Sequence, residues 1–155
     1  MIPKFRFWYE REDYYPDENY MRDVWKIEYI ADSKIELNDD YIFNPYTNAA
    51  ENIYAKTKIY LMQSTGLKDK NGVEIYEGDI LKTFSNINKY TDSFAEDIEP
   101  KFEYTTVVRD GACFKTTYKK RPSYVLNENS GSMIEHMEVI GSIYENPELL
   151  EREPQ

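Results

Sequence analysis

The feature that most constrains the fold is the segment 59–84, in which two glycine-containing turns join three apolar runs. The first run, Ile59 to Met62, shows the period of two that places neighbouring side chains on opposite faces of a strand. Asn71-Gly72 follows, and this dipeptide readily adopts the two positive φ angles of a type I′ hairpin turn. Gly78 then interrupts the chain before the third run, which indicates another turn or bulge. Two turns so close together predict a meander or small barrel of antiparallel strands.

Length and composition indicate one mainly β domain. A chain of 155 residues can bury one core, so we expect a single domain over residues 1–155. The 15 Tyr, 7 Phe and 2 Trp favour strands. One or two short helical turns are expected near the C-terminus: Ser132 and Glu135 have capping-box spacing, and Asn146-Pro147 is typical of a helix start.

Alternating apolar residues predict the other strands. Residues 4–9 and 23–30 are expected to pair with each other, and Asp110-Gly111 to turn a second hairpin. Residues 10–20 and 85–100 lack a period and are predicted to be long loops. The conformation of residues 44–54 stays open, with one helical turn from Asn48 as an option. Further strands are predicted at 35–37, 41–43, 102–108, 113–118, 124–126 and 138–144.

Hydropathy and cysteine content predict a cytoplasmic protein. No apolar run approaches the roughly 20 residues of a membrane-spanning helix, and the N-terminus lacks the apolar region of a signal peptide. The single cysteine, Cys113, cannot form an internal disulfide, which fits a reducing compartment.

Charge argues against tight, non-specific binding to nucleic acid. The formal net charge is −10, and the acidic excess lies mainly in residues 1–49 and 127–155. Affinity for phosphates comes from Lys and Arg, so nucleic acid is an unlikely partner. The basic residues cluster once, and a solvated turn explains this cluster better than a phosphate site: Lys115, Lys119, Lys120 and Arg121.

No group of residues predicts catalysis, a metal or a cofactor. Cys113 and His136 form the one Cys/His pair available, and we expect Cys113 to be a buried, inert thiol. Glu77 and Asp79 flank a turn glycine, where bonds to local backbone N–H groups are more common than acid–base chemistry. The acidic pairs 39–40 and 96–97 lack the ligand pattern of a calcium loop.

Three blocks of this sequence resemble the YopX family, small proteins of phages and prophages of Gram-positive bacteria. The central block runs from Thr65 to Ile80 and contains the predicted turn motif. The first block is 2–8 and the last is 138–150. The resemblance implies a mainly β domain encoded by a mobile element, and it assigns no activity. The residues of the turn motif are Gly66, Asn71, Gly72, Gly78 and Asp79.

These observations favour a non-enzymatic module that binds a host or phage protein. An exposed aromatic cluster including Trp8, Tyr14 and Tyr15 is the predicted contact surface. Two alternatives stay open. One is nucleic-acid binding through the basic cluster and stacking tyrosines. The other is an acidic surface, built from residues 10–40 and 127–153, that imitates DNA. Free strand edges also predict self-association into a homo-oligomer.

Overall fold

The computed structural model describes residues 3–11, 19–51, 57–84, 102–118, 121–127 and 134–151. These residues form antiparallel strands and a C-terminal 3-10 helix, which confirms the predicted mainly β class. The predicted loop 85–100 and most of the predicted loop 10–20 lie outside the described residues. The strands are β1 (Phe5–Arg11), β2 (Tyr20–Asp23), β3 (Ile27–Ile30), β4 (Lys34–Leu37), β5 (Tyr41–Phe43), β6 (Thr57–Lys68), β7 (Glu74–Tyr76), β8 (Asp79–Phe84), β9 (Phe102–Asp110), β10 (Cys113–Tyr118), β11 (Arg121–Leu126) and β12 (Glu138–Ser142), and the helix is Pro147–Glu151.

The contacts divide the domain into two compact units, residues 1–63 and residues 64–155. Each unit has its own cluster of buried apolar side chains, whereas a single core was expected. Strand β6 contributes its first half to unit 1, where it pairs with β1, and its second half to unit 2, where it pairs with β7.

Backbone hydrogen bonds join the strands of unit 1 in an open series that runs from β2 through β1, β6, residues 48–51, β5 and β4 to β3. Strand β1 pairs with β2 on one side and with β6 on the other. Strands β3, β4 and β5 form a meander, and residues 48–51 bridge β5 to the start of β6. Strands β2 and β3, at the two ends of this series, are consecutive in the chain but are not paired with each other in the described structure. We call this partly closed arrangement the unit 1 barrel. Phe7, Leu37 and Phe43 fill its centre with Ile35 and Ile59.

The strand predicted over residues 23–30 is divided in the structure. Residues 20–23 pair with β1, whereas residues 27–30 pair with β4. The buried side chain of Asn38 lies at the break: its Oδ1 accepts from the N–H groups of Trp25 (2.9 Å) and Lys26 (3.3 Å), and its Nδ2 donates to the Asp23 carbonyl. These side-chain bonds replace ladder bonds, so the chain changes partner here.

Residues 48–50 do not form the helical turn considered for this segment. Asn48 has a φ of +59°, and Ala49 and Ala50 make isolated bridges to Lys58 and Phe43. The bridges satisfy backbone groups that a helical turn would satisfy locally. The rest of that predicted turn, residues 52–54, lies outside the described part of the chain.

Unit 2 contains a five-stranded sheet in the order β11-β10-β9-β8-β12. Its first four strands form a meander, and the predicted hairpin at Asp110-Gly111 joins β9 to β10, with Gly111 at a φ of +64°. The core side chains come from β7, from strands β8, β9 and β11 of this sheet and from the segment before β12: Ile75, Leu81, Val107, Leu126, Ile134 and Met137.

The turn at Asn71-Gly72 is present, but its type differs from the prediction. A type I′ turn needs positive φ at both residues, and only Gly72 has it, at +80°. The N–H of Gly72 donates to the Asp69 carbonyl, and Asp69 N–H donates to the Val73 carbonyl. This is a three-residue loop that ends in a left-handed glycine.

Asp69 explains why this turn type is adopted. Its side chain is 6% exposed. Oδ1 accepts from the N–H groups of Asn71 (2.8 Å) and Val73 (2.9 Å), which fixes the loop. Oδ2 accepts from the N–H of Val139 in β12 at 2.8 Å, across 70 positions of sequence. One buried carboxylate therefore holds both the loop and the last strand.

A short helix follows β12, as predicted. The Leu149 N–H donates to the Asn146 carbonyl at the start of the 3-10 helix. Asn146 Oδ1 accepts from the N–H of Ser142 and lies 2.2 Å from where a Cβ on Gly141 would be. A helical turn was predicted near residues 133–137: Ile134 has helical conformation, residues 135 and 136 form a turn, and the Met137 N–H donates to the Ile134 carbonyl. Ser132 lies outside the described residues, so the capping box stays a prediction.

We expect Asp69→Asn to lower the free energy of unfolding by about 3 kcal/mol, because an amide lacks the charge and presents an NH₂ group to backbone donors. Urea unfolding followed by circular dichroism measures the change. Asp110→Asn is the matched control, since the Asp110 carboxylate forms an exposed ion pair with Lys115. The control should change stability by less than about 0.5 kcal/mol. Equal losses in the two variants would contradict the role given to Asp69.

Candidate binding site

The residues of the predicted turn motif have structural roles in unit 2. Gly66 has a φ of +79° within the register shift between β6 and β7. Gly78, at +85°, donates its N–H to the Val107 carbonyl and accepts from the N–H of Ile143. Asp79 is buried, and its Oδ2 accepts from the Tyr76 N–H at 2.7 Å, as expected for a carboxylate beside a turn. The motif therefore stabilises turns and joins strands.

The predicted basic cluster is described only in part. Lys115 forms an ion pair with Asp110 at 2.8 Å, and this hydrogen bond raises the pKa of Lys115. Arg121 is exposed at the start of β11, while Lys119 and Lys120 lie outside the described residues. The phosphate-binding role of the cluster stays a prediction.

Trp8, from the predicted aromatic cluster, and Cys113, the predicted inert thiol, differ in solvent exposure from what was expected. Trp8 is 8% exposed, so its ring offers little area to a partner, and Tyr14 and Tyr15 lie outside the described residues. Cys113 is exposed at the start of β10, beside the hairpin, and this corrects the expectation of a buried thiol. Cys113 pairs with Asp110 directly beside the hairpin turn, and residues 109–113 are all exposed.

A group of tyrosines lies at one end of the unit 1 barrel. The rings of Tyr9 and Tyr20 stack at a centroid distance of 5.0 Å, and Tyr41 meets Tyr9 edge-on at 5.8 Å. The hydroxyls of Tyr20 and Tyr41 are 2.8 Å apart and share a hydrogen bond. The Arg22 guanidinium lies 4.8 Å from the centroid of Tyr20 and 5.9 Å from that of Tyr41. Burial and the bond from Tyr41 raise the pKa of Tyr20.

A pocket of about 130 Å³ opens at this end of the barrel. The carboxylates of Asp40 and Glu51 are its only formal charges among the described lining residues. Glu51 also bonds Lys34, and this bond raises the pKa of Lys34. The residues that line the pocket are Tyr9, Asp40, Tyr41, Ile42, Ala50, Glu51, Thr57 and Ile59.

Thr57 is the unusual residue of this pocket. It is 5% exposed, and its Oγ1 is buried without a hydrogen-bond partner in the described part of the chain. Thr57 and Ile59 are two positions apart on β6 and both line the pocket, so their side chains lie on the same face of the strand. A buried hydroxyl without a partner costs about 1–3 kcal/mol, which marks this position as a candidate binding site.

A second candidate surface is the segment 25–30, which exposes large apolar side chains. Trp25 is 69% exposed and Tyr29 is 86% exposed, and Ile30 is also exposed. Strand β3, within this segment, pairs with β4 on one side and lies at the edge of its sheet in the described structure. Apolar side chains on an edge strand are typical of contact surfaces.

Sequence reasoning missed both places. The pocket residues come from four separated stretches of chain, and no short motif contains them. Trp25 and Tyr29 were assigned to the alternating pattern of a half-buried strand; their exposure follows from the break at Asn38, which the pattern does not reveal.

Two functional features are absent from the described ranges. No three His, Cys, Asp or Glu side chains lie close enough together there to bind a metal ion. None of the helical segments described in this chain has the length and apolar character needed to cross a membrane.

The fold and the pocket define a mainly antiparallel β protein with a small concave site at the end of a barrel. The family model described as YopX protein matches residues 4–151. The chain therefore belongs to the YopX family, as the resemblance of its three blocks predicted.

A crystal structure is also similar to this chain. The crystal structure of protein EF1440 from Enterococcus faecalis is 25% identical in sequence and is similar over 97% of this chain and 99% of that chain, with a TM-score of 0.49. The search of curated proteins finds no match.

We expect Thr57→Val to raise the free energy of unfolding by about 1 kcal/mol, because it removes an unpartnered buried hydroxyl and keeps the side-chain shape. Thr105→Val is the matched control: Thr105 is also 5% exposed, but its hydroxyl donates to the Thr117 carbonyl at 2.6 Å. Thr105→Val should lower the free energy of unfolding by about 1 kcal/mol. Urea unfolding measures both changes. A lower free energy of unfolding in Thr57→Val than in the wild type would contradict the assignment of an unpartnered hydroxyl to Thr57.

The raised pKa of Tyr20 predicts a pH dependence. Its pKa in the unfolded chain is near the ordinary value of 10.0. Folding favours the neutral phenol, so the contribution of Tyr20 is complete below that value and is lost as pH rises above it. Urea midpoints measured from pH 8 to pH 11 should therefore fall less steeply in Tyr20→Phe than in the wild type. Tyr46→Phe, at an exposed position, is the control and should leave the slope unchanged.

Proposed function

We propose that this protein is a non-enzymatic accessory protein of a phage or prophage, and that it binds a host or phage protein through the segment 25–30. The observation that carries the proposal is the exposure of Trp25 and Tyr29, at 69% and 86%. Trp and Tyr supply contact area with little side-chain entropy to lose, and they are enriched where binding energy is concentrated. Exposing both within six residues is costly unless a partner covers them.

The backbone of this segment supports the same proposal. Residues 27–30 pair with β4 on one side, and β3 ends the sheet on the other side in the described structure. An extended strand of a partner can add to such an edge through main-chain hydrogen bonds, while side-chain contacts provide specificity. We therefore propose that the partner presents an extended segment with apolar side chains.

The charges near this segment give no comparable support to nucleic-acid binding. Lys26 is bonded to Asp39 at 2.6 Å and lies near Glu28, and these contacts raise its pKa. In unit 2, Lys115 is paired with Asp110. The described lysines of both regions thus have acidic partners, which reduces their attraction for phosphate. The acidic surface that would imitate DNA stays a prediction.

We expect the double variant Trp25→Ala/Tyr29→Ala to lose its partner. Immobilised full-length protein is incubated with nuclease-treated lysate of the bacterial host, and bound proteins are quantified by mass spectrometry. The amount of a protein captured by the wild type should be at least about 10-fold lower with the double variant, because truncating anchor side chains typically costs 2 kcal/mol or more of binding free energy. Tyr124→Ala, at another exposed tyrosine, is the control and should retain the protein.

Two outcomes would contradict the proposal. One is equal capture by the wild type and the double variant. The other is a wild-type dimer in light scattering that the double variant abolishes, which would assign the segment to a second copy of this chain. Binding of labelled duplex DNA that weakens with added salt would instead support the nucleic-acid alternative.

A further inference from the structure

We infer that the pocket at the end of the unit 1 barrel binds a single organic cation, the guanidinium or ammonium group of a side chain on the partner protein. The inference rests on the proposed function and specifies the chemistry of the partner. It is carried by the pocket, its two carboxylates and the unpartnered hydroxyl of Thr57.

The charged residues of the pocket indicate that its ligand is positively charged. Asp40 and Glu51 are its described charged lining residues, and both are acidic. Glu51 already bonds Lys34, so Asp40 supplies the carboxylate whose charge is least compensated. An anion would be repelled by this lining, whereas a cation is electrostatically complementary to it.

The chemistry of the walls favours an organic cation over a metal ion. A hard divalent cation takes six or more oxygen ligands, and the described residues supply no group of three acidic, His or Cys side chains. The pocket instead combines carboxylates with tyrosine rings and the apolar side chains of Ile42 and Ile59. Aromatic faces attract guanidinium and ammonium groups.

The volume of the pocket limits the size of the ligand. At about 130 Å³ it is well below the roughly 300–1,000 Å³ of sites for whole small-molecule ligands. A guanidinium or ammonium head with its last methylene groups fits this space. The remainder of the ligand must then lie outside, as it does when the cation belongs to a protein side chain.

The unpartnered hydroxyl of Thr57 is a second observation, independent of the pocket's charge, that indicates a ligand. Its buried Oγ1 has no partner in the described structure, and its side chain shares a strand face with Ile59 in the pocket wall. A hydroxyl oxygen accepts hydrogen bonds, and guanidinium and ammonium groups are donors only. Binding would therefore satisfy the hydroxyl of Thr57 as well as the charge of Asp40.

The test is an NMR titration of the ¹⁵N-labelled full chain with an acetylated, amidated Gly-Ser-Arg-Ser-Gly peptide. Saturable shifts of the amides of Tyr41, Ala50 and Thr57 are expected. The same peptide with citrulline, which is isosteric and uncharged, should bind at least about 10-fold more weakly. Asp40→Asn and Thr57→Val should each weaken binding about 5-fold, since each removes one contact worth roughly 1 kcal/mol. Asp32→Asn removes an exposed carboxylate elsewhere in unit 1 and should leave the affinity unchanged.

The outcomes separate this inference from the proposed function. Equal shifts with the citrulline peptide, or shifts that avoid the pocket, overturn the inference. Binding of free n-butylguanidine that is at least about 10-fold tighter than binding of the arginine peptide overturns the assignment to a protein side chain, because the attached backbone would then obstruct the site. A captured partner that depends on Trp25 and Tyr29 but not on Asp40 leaves the proposed function intact and overturns the inference. Binding of the arginine peptide in the pocket, with no captured partner that depends on Trp25 and Tyr29, supports the inference and overturns the proposed function.

Discussion

The interaction on which unit 2 depends is the set of three backbone N–H bonds accepted by the carboxylate of Asp69. A carboxylate buried to this degree is costly to remove from water, and it is retained only where donors replace its hydration. Here the donors come from its own turn and from Val139, so the same oxygens that shape the loop also position the last strand. Gly78 adds a second link, since it bonds both Val107 and Ile143. The order of the sheet around β8 follows from these few bonds.

Asn38 has a comparable role in unit 1. An amide both accepts and donates, and Asn38 uses Oδ1 and Nδ2 to bond residues 23–26. The chain therefore leaves β1 and joins β4, so that β2 and β3 belong to different sheets, and Trp25 and Tyr29 are exposed beside this change of partner. Both candidate surfaces lie in this unit: the pocket at one end of the barrel, and the exposed segment where the strand changes partner.

Much of the fold followed from local sequence signals. Alternation and turn dipeptides located the strands because both depend on neighbouring residues, and the family blocks indicated the same class. The type of the turn at Asn71 was mispredicted because it depends on the carboxylate of Asp69 and on a strand 70 positions away. The break in residues 23–30 depends on Asn38, and the pocket assembles residues from separate strands. Such long-range contacts leave no periodic signal, which is why the structural motif was predictable and the candidate site was not. The predicted contact residues Tyr14 and Tyr15 remain a hypothesis.

The bond between Asp69 and Val139 also bears on synthesis of the protein. A ribosome releases the chain from the N-terminus, so the partner of Asp69 Oδ2 emerges only after 70 further residues have been added. Until then β8 lacks its neighbour β12, and one edge of β8 stays unpaired in the nascent chain. Pairing over such long sequence separations is slow. The described strand pairings of unit 1 lie within the first 63 residues, so unit 1 can form them while unit 2 is still being translated.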